Sequence, residues 1–186
     1  MLKKEAGLLI LIGATQFIVG MILAEVLYNG YSAADKYISD LGVGPSAIIF
    51  NFSIFLFGLM VVGGAYYIWR AFGSRLIMIL FVLAGIGAMG VGIFTEDAGA
   101  IHGIVSLIAF LFGGLSAISA YKLTKFPMNF VSVIMGLIGL IALGLFATQN
   151  FLGLGQGGME RMIAYPIVLW VIGFGGYLIG SEDKQS

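Results

Sequence analysis

The sequence predicts an all-α membrane protein, a polytopic transmembrane bundle of six helices. Of its 186 residues, 60% are hydrophobic and only 10% are charged, and six apolar stretches succeed one another. Soluble domains carry about 25% charged residues, so this chain has too few to cover a surface that faces water. A helix needs about 20 apolar residues to cross the hydrocarbon core. We therefore expect lipid, and not water, to surround most of the surface of this protein.

The apolar stretches place the spans within a single domain over residues 1–186. The first stretch follows charged residues 3–5, and we interpret it as a retained span because its apolar part is too long for a typical signal peptide. Pro45 and Pro127 precede the second and fifth stretches, where proline is tolerated at a helix start. The predicted spans are approximately 6–24, 47–69, 76–94, 103–121, 128–147 and 162–180.

The positive charges predict a multi-pass protein of the cell membrane with both termini cytoplasmic. Short cytoplasmic loops carry an excess of Lys and Arg, and one side of the predicted bundle has seven such residues against two on the other. Most acidic residues lie on the opposite, outer side, which this rule does not require. The cytoplasmic set is Lys3, Lys4, Arg70, Arg75, Lys122, Lys125 and Lys184, and the outer set is Lys36 and Arg161.

Small residues at four-residue spacing predict closely packed helices. In lipid, such ladders let backbones approach each other, which favours a tight bundle over a wide aqueous pore. The same faces would also support a homo-oligomer. On the fourth span, His102 and Ser106 share one stripe with the small residues, so His102 is expected to face other helices. The ladders are Ala84, Ala88 and Gly92; Ala109, Gly113 and Ala117; and Gly176 with Gly180.

Three outer segments carry the candidate site, and each precedes an even-numbered span. Their helix N-termini should converge and supply partial positive charge and free N–H groups. We predict a catalytic group and a ligand-binding group, set against a structural alternative in which the carboxylates cap helices and His102 is bonded within the bundle. The catalytic candidates are His102, Glu96 and Asp97, and the ligand-binding candidates are Arg161, Glu160, Tyr165, Asp40 and Asn51.

Two carboxylates and an imidazole within seven residues, Glu96, Asp97 and His102, suit an acid–base pair or contact with a substrate. A divalent cation is a weaker interpretation, since the spacing matches no established metal motif, and we predict no metal and no cofactor. Arg161 is expected either to reach lipid phosphates or to pair with an acidic residue of another outer segment, such as Asp40 or Glu96, as an anion clamp or network anchor.

The outer segments resemble a domain-of-unknown-function family of prokaryotic membrane proteins predicted to have six helices. The resemblance covers nearly the whole chain and implies a small helical bundle, but it implies no reaction. The residues that carry it are Tyr37-Ile38-Ser39-Asp40-Leu41-Gly42 with Asn51, Gly92-Ile93-Phe94 with Glu96 and His102, and Gly157-Gly158-Met159-Glu160-Arg161-Met162 with Tyr165-Pro166.

Three functions stay open at the level of sequence, and whether the protein is an enzyme is undecided. The first is an outer-face site that binds or processes a lipid or isoprenoid headgroup. The second is a small transporter or ion-coupled permease, disfavoured because charges are confined to the span ends. The third is a non-catalytic assembly or lipid-binding factor. The expected partners are membrane lipids and a lipid-like small molecule, and no nucleic acid.

Several classes of chemistry are disfavoured by composition. The chain has no cysteine and one histidine, so thiolate sites and a haem with paired histidine ligands are not expected. Serine hydrolysis is also disfavoured, because no serine is visibly paired with His102 in the sequence.

Overall fold

The computed structural model describes residues 1–181, and these form six long helices joined by short connections. All six are long and apolar enough to cross a membrane, which confirms the predicted all-α, six-helix architecture. The orientation of the termini stays a prediction, and Lys184, which was counted for it, lies outside the described residues. The helices are α1 (Leu2–Leu27), α2 (Ala47–Phe72), α3 (Arg75–Ile93), α4 (Ala100–Ser119), α5 (Met128–Ala147) and α6 (Gly155–Gly180).

The helices form a closed ring. Each one packs against the next along the chain, and α6 returns to pack against α1. Glycines permit the closest approaches, because a Cβ on Gly58 of α2 would lie 2.4 Å from the carbonyl oxygen of Gly85 on α3. A Cβ on Gly7 of α1 would lie 2.6 Å from the carbonyl oxygen of Gly175 on α6. Glycine is therefore required at the contact that closes the ring.

The predicted small-residue ladder at the end of α6 makes no close contact with another element of residues 1–181. No atom of another helix or connection in this range lies within 4 Å of a Cβ built on Gly176 or Gly180, and both residues are exposed. The glycine of α6 that approaches α1 closely is Gly175 instead. The face with Gly176 is left for lipid or for a second copy, so the homo-oligomer stays a prediction.

Helix α6 begins earlier than the sequence predicts. It runs from Gly155 and continues through Pro166, whereas the predicted span begins at residue 162. Glu160 and Arg161 thus lie in the second turn of a helix and not in a loop before it. The glycines of this stretch are helical because another segment of the chain crosses them closely, as described below.

One end of the ring carries most of the acidic residues, and we call it the acidic end. It comprises the connections 28–46, 94–99 and 148–154 with the helix ends that they join. Two of these connections contain short 3₁₀ helices, Ser39–Gly42 and Glu96–Ala98, and these two contact each other. The third 3₁₀ helix, Ala120–Leu123, lies at the opposite end, after α4.

Candidate functional site: a polar pocket at the acidic end

Arg161 fastens the 28–46 connection to α6. Its Nη1 donates to the carbonyl oxygens of Ala33 (2.9 Å), Lys36 (3.3 Å) and Gly157 (3.0 Å). Its Nη2 donates to Glu25 Oε1 at 2.6 Å and to the Tyr31 hydroxyl at 2.7 Å. Both terminal nitrogens of the guanidinium are thus engaged by protein acceptors, with Glu25 supplying the counter-charge.

The first turns of α6 are packed directly under the same connection. The Gly157 N–H donates to the carbonyl oxygen of Ala34 at 3.0 Å, and Gln156 Nε2 donates to the carbonyl oxygen of Asp35 at 2.7 Å. A Cβ on Gly157 would lie 1.9 Å from the carbonyl oxygen of Lys36. Only glycine fits there, which explains the glycine-rich start of the helix. One of the N–H groups at this helix start is therefore satisfied by the connection rather than free for an anion.

The hydroxyl of Tyr31 links Arg161 to the next part of the connection. It accepts from Arg161 and donates to the carbonyl oxygen of Tyr37 at 2.7 Å. Burial raises the pKa of Tyr31 to about 12, so the hydroxyl keeps its proton at physiological pH. The bonds from Arg161 and Tyr31 thus fix the backbone of residues 33–37 and set the position of the 3₁₀ helix Ser39–Gly42.

A pocket of about 350 Å³ lies beside this assembly, between the connection, α4, α5 and α6. Its polar lining comes from Tyr37, Ser39, Glu96, His102, Ser106 and Glu160. The gap between α4 and α5 contributes Gly103, Leu107 and Ala147, all of which are exposed. The pocket is therefore open along the side of the bundle that would face lipid. A volume of this size is within the range of small-molecule sites, about 300–1,000 Å³.

Glu160 is the most enclosed acidic group of the pocket, with 7% of its surface exposed. Its Oε2 accepts a hydrogen bond from the backbone N–H of Ile38. Within the described residues Glu160 makes no ion pair, since the neighbouring Arg161 bonds to Glu25. A buried carboxyl without a cationic partner is costly, and such a group in a cleft is a candidate for a functional site.

Glu96 lies close to Asp40, and the Asp40 carboxyl group disfavours the ionisation of Glu96. Burial raises the pKa of Glu96, and the nearby carboxyl of Asp40 raises it further. Glu96 Oε2 is buried without a hydrogen-bond partner. Burial also raises the pKa of the Tyr37 hydroxyl, with Glu160, Glu96 and Asp40 adding to the increase. The acidic groups therefore make the electrostatic potential in this pocket negative.

His102 is oriented by two hydrogen bonds. Its Nδ1 lies 2.8 Å from the carbonyl oxygen of Phe94, which can only accept, so Nδ1 carries a proton. Its Nε2 lies 3.2 Å from Ser106 Oγ, so in the neutral ring Nε2 accepts from the serine hydroxyl. The expectation that no serine is paired with His102 is wrong. The four-residue spacing on one helix face allows the contact.

An apolar cavity of about 90 Å³ adjoins the pocket on the side of the ring interior. The two spaces share Ser39, Ser106, Phe110 and Glu160 in their linings. Deeper in the bundle the cavity is lined mainly by aliphatic and aromatic side chains, with Trp170 among them. Ser116 also lines it, 2% exposed, and its hydroxyl has no hydrogen-bond partner. A polar entrance thus leads to a nearly apolar interior.

The remaining predicted site residues lie outside the pocket. Asp97 is exposed and accepts a hydrogen bond from the Thr95 hydroxyl. Asn51 donates to the carbonyl oxygen of Gly42 at 2.9 Å, and its Oδ1 is buried without a partner. Tyr165 is 36% exposed and lies near Arg161. In residues 1–181, no group of three or more His, Cys, Asp or Glu side chains is arranged to hold a metal ion.

Sequence reasoning missed Glu25, Tyr31, Tyr37, Ser39, Ser106 and Ser116 as site or support residues. Of these, only Ser106 gave a local signal, its four-residue spacing from His102. Glu25 and Arg161 are 136 positions apart, so no spacing in the sequence could reveal their contact.

Comparison with known proteins adds a family and no activity. No curated protein and no solved structure matches the chain. The family described as "Protein of unknown function (DUF998)" matches residues 11–177, which include every residue that lines the pocket. The chain is thus a membrane protein with six helices able to span the bilayer, and it belongs to the DUF998 family.

Proposed function

We propose that this protein binds an amphipathic, lipid-like molecule, with the headgroup in the polar pocket and the end of the chain in the apolar cavity. The observation that carries the proposal is that the two spaces adjoin, because Ser39, Ser106, Phe110 and Glu160 line both of them. An amphiphile needs a polar site next to an apolar one, and these two adjoin inside one ring of helices.

The gap between α4 and α5 supports entry from the membrane. Gly103 and Leu107 on α4 and Ala147 on α5 are exposed where they line the pocket. A molecule could move from the bilayer into the pocket without crossing water. The excess of positive charges at the other end of the bundle favours the outer surface of the cell membrane for this end, and we include that location in the proposal.

The size of the spaces limits the ligand. A cavity of about 150 Å³ holds one benzene molecule, so the 90 Å³ cavity accepts only the end of a chain. The 350 Å³ pocket holds the headgroup with the adjoining part of the chain. A single-chain amphiphile or an isoprenoid fits this description, and the chains of a larger lipid would have to leave through the α4–α5 gap.

Blocking the gap tests the proposal. Gly103 lines the pocket and has no atom within 4 Å of a built Cβ, so Gly103→Phe should fill the pocket without disturbing the helix. Gly144→Phe is the matched control, because Gly144 is also an exposed helix glycine with free space, but it does not line the pocket. The measurement is native mass spectrometry of the purified proteins, with lipid analysis of what stays bound.

We expect wild type and Gly144→Phe to retain an enriched lipid-like molecule and Gly103→Phe to lose it. A retained molecule at equal occupancy in all three proteins would contradict the proposal, as would the absence of any species enriched over the bulk lipid.

Acyl transfer is a second candidate, favoured by the Ser106–His102 pair. In such a step Ser106 Oγ would attack an ester carbonyl, His102 Nε2 would take the serine proton, and the leaving alkoxide would receive it. The acyl group would then pass from Ser106 to water or to another acceptor. This candidate ranks second because the acidic groups of the pocket would destabilise the oxyanion that forms. Labelling of Ser106 by a fluorophosphonate probe, lost in His102→Ala, would move it to first place.

A further inference from the structure

The pocket is lined by acidic side chains and by polar side chains without a fixed charge. Among the described residues the lining includes the carboxyl groups of Glu96 and Glu160 and no lysine or arginine. Asp40 adds a third carboxyl beside Glu96. A ligand that enters must either bring positive charge or leave these groups without a partner.

The cations near the pocket are already engaged elsewhere. Arg161 forms its ion pair with Glu25, at 2.6 Å. Lys36 Nζ lies 5.3 Å from the centre of the Tyr28 ring, in a cation–π contact. Within residues 1–181 neither side chain lines the pocket or forms an ion pair with Glu160, and the charge of Arg161 acts on that carboxyl only at longer range.

Two acceptor atoms are available to a donor from the ligand. Glu160 uses Oε2 for the N–H of Ile38, which leaves its other oxygen for a ligand, and Glu96 Oε2 is buried without a partner. The hydroxyl of Ser106 also lines the pocket. A primary ammonium group has three N–H donors and no acceptor, which matches this set.

Aromatic rings complete a lining suited to a cation. Tyr37 and Phe146 meet edge to face, with ring centres 5.8 Å apart, and both line the pocket with Phe110. The negative faces of such rings attract ammonium groups, a contact that strengthens when water is excluded. A phosphate headgroup would instead meet carboxylates, and Arg161 is not free to hold it.

We infer that the headgroup taken by this pocket is a protonated amine, so that the ligand is a long-chain amine or amino alcohol rather than a phosphorylated lipid. The inference rests on the proposed function, because it names the chemistry of the ligand for the same site. The ammonium group lies between Glu160 and Glu96, and the end of its chain reaches the cavity lined by Trp170.

Trp170 provides the measurement. It is 1% exposed and lines the cavity, and the chain has two tryptophans, so Trp69→Phe leaves Trp170 as the one fluorescent indole. The protein is placed in nanodiscs of zwitterionic lipid and titrated with three probes of equal chain length, each brominated at the chain end: a primary alkylamine, the alcohol and the alkyl phosphate. Bromine quenches tryptophan only at close range, so quenching reports entry of the chain into the cavity.

We expect the amine to bind about tenfold or more tightly than the alcohol, and the phosphate most weakly, because hydrogen bonds between charged groups are the stronger ones. Glu160→Gln should remove about tenfold of the amine affinity and leave the alcohol unchanged. Glu96→Gln, at a less buried position, should act in the same direction and covers the case in which Glu160→Gln fails to fold. Asp35→Asn is the matched control, since it removes an exposed carboxylate of the same end outside the pocket.

The outcomes separate the inference from the proposed function. Equal affinity for amine and alcohol, or tighter binding of the phosphate, would overturn the amine inference while the amphiphile site stands. An amine preference that Asp35→Asn reduces as much as Glu160→Gln does would overturn it as well, because surface charge would then be the cause. If none of the three probes quenches Trp170, the proposed function itself fails.

Discussion

Replacing Arg161 by methionine should release the 28–46 connection from α6 while the six helices stay assembled. The guanidinium donates five hydrogen bonds, to the carbonyl oxygens of Ala33, Lys36 and Gly157, to Glu25 and to the Tyr31 hydroxyl. Methionine has similar length but no donor. The change therefore leaves the Glu25 carboxylate and the acceptor oxygens of the connection without this donor.

The loss of unfolding free energy in Arg161→Met follows from the burial of the ion pair. Removing one partner of a buried pair costs about 3–5 kcal/mol. The Glu25 side chain is 25% exposed and that of Arg161 is 9% exposed, so water screens part of the charge left behind. We therefore expect the low end, about 3 kcal/mol of unfolding free energy. Arg161→Lys keeps the charge but not the planar fork, and should cost roughly half as much.

The assay is reversible unfolding by SDS in mixed micelles, followed by hydrogen exchange of the folded variants. Exchange should increase in residues 28–46 and stay unchanged in the cores of α2 and α3. Arg70→Met is the matched control, because Arg70 is an exposed arginine whose bond to the Tyr66 hydroxyl lies at the other end. If Arg161→Met loses only about 0.5 kcal/mol, as an exposed site would, and exchange in 28–46 is unaltered, the anchoring role of Arg161 is refuted.

Three further predictions test the close packing, the cavity and the acidic pair. Gly157→Ala should displace the connection and lower thermal stability, since its Cβ would lie 1.9 Å from the Lys36 carbonyl oxygen. Gly176→Ala is the control, because this glycine has free space on the same helix, and its thermal stability should not change. Equal effects of the two substitutions would contradict the close packing at Gly157. Ser116→Ala should stabilise the ligand-free protein by about 1 kcal/mol, because it removes an unpaired buried hydroxyl. A lower unfolding free energy of this variant in SDS would show instead that the hydroxyl has a partner. The pKa of Glu96 is raised above 4.5 in the folded protein. The unfolding free energy of the protein should therefore fall as pH rises from about 4.5 through the raised pKa. Glu96→Gln should flatten that dependence, and an unchanged pH profile would argue against the raised pKa.

The number of helices and their order could be predicted because lipid imposes a strict length and polarity on each span. The start of α6 could not, since glycine normally disfavours helix. Glycine is required at 155 and 157 by a connection more than a hundred residues away, because a Cβ there would lie 2.3 Å from the Ala34 carbonyl oxygen and 1.9 Å from that of Lys36. A contact between residues so far apart leaves no local pattern in the sequence that could predict it.

The sequence predicted several residues of the candidate site, but it predicted only partly which of them line the same pocket. Glu96, His102 and Glu160 line one pocket, because α4 and α6 begin at the same end of the ring. Asp97 and Arg161 are neighbours of these residues in sequence, but their side chains are engaged by Thr95 and by the 28–46 connection. Which of two adjacent polar residues faces a pocket depends on helix rotation, which is set by tertiary packing.

Photolabelling tests the central claim most directly. A primary alkylamine with a diazirine near the chain end is bound to the protein in nanodiscs and activated by light, and the labelled peptides are identified by mass spectrometry. We expect labels in the cavity lining, at residues 106–116 of α4 and 164–171 of α6, and we expect excess unlabelled amine to remove them. Labels confined to lipid-exposed side chains such as Ile48 and Ile86, and unaffected by competitor, would contradict it.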